Sequence, residues 1–205
     1  MDAIIFSLDR ALRTLSGSAQ SRRPNPAARL DEPTLTEGER TESIAMMRVN
    51  HAGEVAAQAL YQGQGLTARC PEVKGQLAHA ADEELDHLAW TRERLTQLGG
   101  RPSLLDPLWY AGAFAIGAIA GAIGDKVSLG FLQATEEQVE AHLDSHLNRL
   151  PAGDTASRAI VEQMKRDESH HAQTARTLGA ETLPRPLQAL MHASAKVMTT
   201  TAAKI

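Results

Sequence analysis

Glu84-Leu85-Asp86-His87 and Glu168-Ser169-His170-His171 decide the reading of this chain, because each is a Glu-x-x-His preceded at similar distance by a lone glutamate. Glu54 lies 30 residues before Glu84, and Glu136 lies 32 before Glu168. Four glutamates and two histidines in this double pattern are what a four-helix bundle uses to hold two metal ions. A single Glu-x-x-His arises readily by chance, so the weight rests on where the residues fall along helices. Positions three and four apart share a helical face. The stripe Ile44, Met47, His51, Glu54, Gln58, Tyr61 carries the first glutamate, and Val73, Leu77, Ala80, Glu84, His87, Thr91 carries the first pair. Leu129, Leu132, Glu136, Val139, Leu143, Leu150 and Val161, Met164, Glu168, His171, Ala175, Leu178 repeat the arrangement. All six residues lie on the face that should turn inward, whereas solvated charges would lie opposite it.

Height along the bundle gives a second test. Arg69-Cys70-Pro71 and Pro151-Ala152-Gly153 read as turns. Glu54 lies 16 residues before Cys70 and Glu84 lies 14 after it; Glu136 and Glu168 each lie 16 from Ala152. At about 1.5 Å rise per residue, each pair meets roughly 21–24 Å from its turn. Four carboxylates buried at one level repel one another and lose hydration, and two divalent cations would cancel their charge. Such carboxylate-rich sites suit iron or manganese better than zinc or copper. The expected assignment makes Glu84 and Glu168 bridges, Glu54 and Glu136 terminal ligands, and gives His87 and His171 one metal each. Two iron ions in such a site support oxygen activation.

The remaining chain is expected to be all-α: a ferritin-like four-helix bundle with a long apolar crossover region and a short C-terminal helix. An N-terminal amphipathic segment and proline-containing linker occupy 1–34, and the bundle occupies 35–205. Within the first segment Ile4, Ile5, Leu8, Leu12 and Leu15 share one side, with Arg10 and Arg13 elsewhere. Ile4-Ile5-Phe6 is too short for a secretory signal, and Asp2 and Asp9 argue against a mitochondrial presequence. Thr36 and Glu39 form a capping box for a helix reaching Thr67. Pro71 opens the second, which ends at Gly99-Gly100. A third runs from Pro107 to about Leu150, Asp154 caps a fourth ending near Gly179, and a last helix covers about 187–202. The eighteen residues Pro107–Gly124 carry no charge. They fit a buried crossover helix packed through Gly117, Gly121 and Gly124, a membrane-resting surface with Trp109 and Tyr110 at the interface, or a span. A span would sit in one continuous helix with Glu136, so the membrane-resting surface is the reading taken forward.

The net charge of −4, the absence of a dense basic block and an aromatic content of 3% disfavour nucleic acid as a partner. Cys70 is the lone cysteine, which excludes an intramolecular disulfide. Among other polar residues, His51 could hydrogen-bond a ligand, Asp86 and Asp167 could orient the ligand imidazoles or face solvent, and His142 lies off the ligand face. His170 points about 100° from His171 and is expected to be exposed.

Arg48-Val49-Asn50-His51-Ala52-Gly53-Glu54, Glu84-Leu85-Asp86-His87-Leu88, Glu136-Glu137 and Arg166-Asp167-Glu168-Ser169-His170-His171 together resemble the demethoxyubiquinone hydroxylase family of ubiquinone biosynthesis, in order over about residues 36–205. The resemblance implies a ferritin-like fold, a di-iron centre ligated by Glu54, Glu84, His87, Glu136, Glu168 and His171, and hydroxylation of a polyprenyl methoxy-methyl-benzoquinol ring with O₂. It also implies peripheral attachment to a membrane, and with no secretory signal or presequence expected, the attachment is placed on the cytoplasmic side of a bacterial-type cell membrane. The partners expected are the lipid quinol, the membrane surface and an unidentified electron donor, with room for a homo-oligomer or a biosynthetic complex. Asn50 stands where many members have Asp, and Val55 where mitochondrial members have Tyr. No Gly-x-Gly-x-x-Gly fingerprint marks a nicotinamide site. The competing readings are other ferritin-like di-iron proteins. A tRNA-modifying hydroxylase should show a basic face, a peroxide reductase of the rubrerythrin type more cysteines, and an iron-binding bundle no membrane-seeking segment.

Overall fold

The computed structural model describes residues 2–31 and 34–205, and the side chains from residue 9 onward in that first stretch. Among the described residues there are seven helices and no strand: α1 (Asp2–Ser16), α2 (Glu37–Thr67), α3 (Pro71–Gln97), α4 (Asp106–Ile123), α5 (Asp125–Arg149), α6 (Thr155–Thr177) and α7 (Arg185–Ala202). Helices α2 and α3 form one antiparallel hairpin and α5 and α6 another, and the two hairpins pack as a four-helix bundle. The local signals for these ends behave as their chemistry requires. Thr36 accepts the Glu39 N–H while the Glu39 carboxylate accepts the Thr36 N–H. Pro71 occupies the first turn of α3, and the Asp154 carboxylate accepts the Ser157 N–H at 3.0 Å to open α6.

The bundle core is divided in three along its length. One apolar cluster gathers Met46, Met47, Trp90, Leu95, Leu143, Ile160 and Met164. Another gathers Leu60, Tyr61, Leu77, Ala80, Leu129, Leu132 and Ala175. On each of the four helices the acidic and imidazole residues lie between the parts belonging to these two clusters. The charged layer is therefore closed at both ends by packed hydrocarbon.

The expected single helix from Pro107 to Leu150 is two helices. Gly124 joins them with φ 157° and ψ 157°, a backbone that L side chains rarely adopt and that cannot continue a helix. The break lets α4 turn away from α5 and lie along α2. Gly63, Gly117 and Gly121 make this contact: a Cβ on Gly117 would overlap the Leu60 carbonyl, and one on Gly63 the Phe114 carbonyl. Gly117 and Gly121 pack as the crossover reading expects, but Gly124 is a hinge and not part of the seam. The opposite face of α4 stays open, with Leu108, Ile116, Ile119 and Ile123 between 47% and 63% exposed. Only 28% of α4 is buried, so it is not a core helix. Among the described residues it is the one helix long and apolar enough to cross a membrane.

At the N-terminus, Leu12 and Leu15 of the expected apolar stripe are exposed, while the Ile4, Ile5 and Leu8 side chains lie outside the described residues. The segment after α1 runs along α3, where Arg22 pairs with Asp82 and the Trp90 indole N–H donates to Ser21. The last helix begins at Arg185, two residues before the expected start, because Pro186 fits the first turn, where no N–H is needed.

Candidate metal centre

The two hairpins bring Glu54, Glu84, His87, Glu136, Glu168 and His171 together in the middle layer, each 2% exposed or less. Their ligand atoms form two groups. Glu54, Glu84, His87 and Glu168 make one; Glu84, Glu136, Glu168 and His171 make the other, and within each group the donor atoms lie within 4.8 Å of one another. Glu84 and Glu168 belong to both groups, the positions expected of bridges. Each remaining glutamate and each histidine belongs to one group.

The imidazoles are oriented alike. Nδ1 of His87 lies 3.4 Å from Glu54, 3.2 Å from Glu84 and 3.3 Å from Glu168. Nδ1 of His171 lies 3.4 Å from Glu136, 3.4 Å from Glu168 and 3.7 Å from Glu84. The outer nitrogens are tied to carboxylates of the opposite hairpin: His87 Nε2 to Asp167 at 2.9 Å, and His171 Nε2 to Glu83 at 2.7 Å. An outer N–H donated to a carboxylate fixes the tautomer and leaves the Nδ1 lone pair facing the centre, the arrangement found around metal-bound histidines. Tyr61 donates its hydroxyl to Glu136.

This donor set fits a pair of cations. Glu84 Oε1, Glu136 Oε2, both Glu168 oxygens and His171 Nδ1 are buried without a hydrogen-bond partner. All five can offer a lone pair, and orphaned acceptors at this depth are costly unless a cation meets them. Protons take that part when metal is absent. Burial and the adjacent Glu84 hold Glu54 well above the usual carboxylate range, and burial with Glu168 pushes Glu136 up to about 8. Burial pulls His87 and His171 down, yet the surrounding carboxylates outweigh it and raise both. Outside the layer the signs reverse. The His171 bond lowers Glu83, and burial of Asp167 is overcome by His87 and Arg23, which bring it to about 2.

The metal-free fold should therefore lose stability as pH rises from 6 to 8. Glu54 and Glu136, with raised pKa values, keep protons that the unfolded chain has already lost over that range, and histidines with raised values begin to lose the advantage of their charge once pH passes their unfolded value near 6.5. The metal-bound fold needs the same protons gone and gains affinity over that range. The rise in melting temperature on adding Co²⁺ should then be larger at pH 8 than at pH 6, with protons released on binding. A shift that is equal or smaller at pH 8 would contradict the proton–metal exchange.

Other residues settle as follows. Asp167 orients an imidazole, but Asp86 does not: it is buried and accepts the backbone N–H groups of Arg22 and Arg23 and the Arg23 side chain. His51 does not bond a ligand; its Nδ1 meets Thr91 Oγ1 at 2.9 Å, one turn beyond His87. His142 packs against His146 with ring centroids 4.0 Å apart and planes tilted by 59°, and His170 is exposed as expected. Glu83 was not among the expected residues, although the signal is present: an acidic residue directly precedes each Glu-x-x-His. A cavity of about 590 Å³ between α2, α5 and α7 reaches the centre at Glu54, with Asn50, Val139, His142, Leu183 and Met198 among its walls.

The fold and its centre define a class, the ferritin-like helical bundles whose carboxylates and imidazoles form a site compatible with two metal ions. A dodecameric thioferritin, the bacterioferritin-related protein of Bacteroides fragilis, shares this fold at TM-score 0.58 and 18% identity, over 67% of this chain and 84% of that one. Within the class, residues 41–202 match the family described as ubiquinone biosynthesis protein COQ7, and the chain belongs to that family. It is 55% identical over 205 residues to the 3-demethoxyubiquinol 3-hydroxylase of Aromatoleum aromaticum, covering all of both chains. The protein of that name from Cupriavidus metallidurans is 56% identical over all of both chains, and that from Burkholderia multivorans 57% over 98% of each.

Proposed function

We propose that this chain is a di-iron monooxygenase that hydroxylates the ring of a demethoxyubiquinol with O₂ at the membrane surface. The observation that carries this reading is the pair of four-ligand groups sharing Glu84 and Glu168, set beside a cavity, in a chain that matches 3-demethoxyubiquinol 3-hydroxylases from end to end. Iron fits the oxygen-rich donor set, with Glu54, Glu84, His87, Glu136, Glu168 and His171 as its ligands. Bound there, two ferrous ions supply the electrons and open positions for O₂ chemistry. One oxygen atom replaces a ring hydrogen as hydroxyl, and the other leaves as water, using two electrons and two protons from an external donor. The chain's own part is to hold the ligands, exclude water with the two apolar clusters and admit the ring. The cavity's volume lies in the range of small-molecule sites, and its contact with Glu54 gives the ring a route to the centre.

Attachment to the cytoplasmic face of the cell membrane rests on α4. Its glycine seam holds it along α2 while four large aliphatic side chains face outward. A helix seated on the bundle this way suits lying in the interface better than crossing it.

The test is isotopic. Ferrous-loaded protein, a short-tailed demethoxyubiquinol, a reductant and ¹⁸O₂ should give product with one labelled ring oxygen. Unlabelled or unhydroxylated quinol from protein that holds two irons would overturn the proposed reaction and leave the metal centre standing.

A further inference from the structure

The two carboxylates that hold the imidazoles from outside share one more contact. Arg23 lies between α1 and α2, outside the residues that match the family profile. Its guanidinium reaches carboxylates on both α3 and α6. Nε donates to Asp86 at 2.6 Å, one Nη pairs with Asp167 at 2.9 Å, and the other with Glu83 at 3.3 Å. Asp167 is the partner of His87 and Glu83 the partner of His171. One cation thus touches the outer support of both imidazoles, one on each hairpin.

The arginine is itself held in place. Its guanidinium carbon lies 5.0 Å from the Trp90 ring centroid. Asp86 accepts the N–H groups of Arg22 and Arg23 and the Ser21 hydroxyl, so the backbone that carries the side chain is fixed to α3. A guanidinium offers several donors in one rigid plane and can hold separate carboxylates at once. Outer partners of this kind orient a metal-bound histidine and tune how much charge it gives the metal.

We propose that Arg23 is a positioning residue shared by both halves of the centre: by fixing Glu83 and Asp167 together, it sets the orientation and basicity of His87 and His171 as a pair. The inference rests on the reading of the six residues as a two-metal site. It also gives the segment before the bundle a part in the centre, beyond that of a linker.

The test is a Co²⁺ titration of the full chain against a competing chelator, read by visible absorption, with the melting temperature of the metal-free protein measured alongside. Arg23→Ala should weaken both ions together by about 10- to 100-fold and change the cobalt spectrum. Asp82→Asn is the control, because Asp82 ties the same segment to α3 through Arg10 and Arg22. It should lower the melting temperature but keep both affinities within about twofold, well short of the loss expected from an outer-partner contact. Arg23→Lys, which keeps the charge without the fork, should fall between wild type and Arg23→Ala; it decides the matter against Asp82→Asn if Arg23→Ala does not fold. Wild-type affinities in the Arg23 variants, loss confined to one ion, or an equal loss in Asp82→Asn would each overturn the shared role. A wild type that binds no Co²⁺ would overturn the two-metal reading and this inference with it.

Discussion

Glu84→Gln should remove both metal ions and all measurable hydroxylation, while Glu54→Gln should remove one ion and leave the other. The asymmetry follows from geometry: Glu84 contributes to both four-ligand groups and Glu54 to one. The activity loss should exceed the roughly 100-fold that follows removal of an outer hydrogen-bond partner. Glutamine has nearly the same shape and one charge fewer, so the metal-free variant should fold at least as well as the wild type: the layer holds four buried carboxylates, and each one neutralised relieves repulsion. Retention of two ions by Glu84→Gln, or equal losses in the two variants, would contradict the shared position of Glu84. His170→Ala is the internal control. Its side chain is exposed beside His171, and metal content and turnover should stay close to wild type.

The largest stability effect is expected well away from the centre, at Asp154→Ala. Arg94 and Asp154 are both fully buried and pair at 3.0 Å. Arg94 also donates to Ser157 at 3.0 Å, and Asp154 accepts the Ser157 N–H that opens α6. Removing the aspartate takes the carboxylate from a buried guanidinium whose printed contacts with Ser157 and Gln97 are to neutral groups, and uncaps a bundle helix at once. Breaking a buried pair from one side costs about 3–5 kcal/mol, and the lost cap adds about 1 kcal/mol. For a chain of this size the melting temperature should fall by roughly 10–20 °C. Arg94→Met combined with Asp154→Asn keeps the cap and removes both charges, so it should recover most of the loss. If the double variant melts as low as Asp154→Ala, the cost lies in packing and not in the broken ion pair.

Much of this fold is legible along the chain because its signals are local. Thr36 with Glu39 and Asp154 mark helix starts through bonds made within one turn, and Pro71 through its fixed φ and missing N–H. The six central residues are found by periodicity and height because a helix fixes both which way a residue faces and how far along it lies. The break at Gly124 is less legible. A glycine in a glycine-rich apolar run resembles its neighbours, and only the docking of α4 onto α2 separates the hinge from the seam at Gly117 and Gly121. Glu83 and Arg23 escape for a related reason. Glu83 sits about 100° around the helix from Glu84, where a solvated carboxylate is the ordinary outcome, and its partner His171 lies 88 residues away. Arg23 lies in a loop with no periodicity to orient it. Asp86, which by spacing alone could orient an imidazole or face solvent, anchors that loop. Helical periodicity assigns faces within one helix; which side chains meet between helices is decided by packing.

The division of the middle layer between hairpins bears on when metal can load. The α2–α3 hairpin supplies Glu54, Glu84 and His87, but its group also needs Glu168 from the other hairpin. The α5–α6 hairpin supplies Glu136, Glu168 and His171, but its group needs Glu84 from the first. A hairpin formed early during synthesis holds three donors and neither complete group. If the two groups hold metal as proposed, its capture waits for the whole bundle to close, and a chain stalled halfway offers no finished site at which a redox-active ion could begin damaging oxygen chemistry.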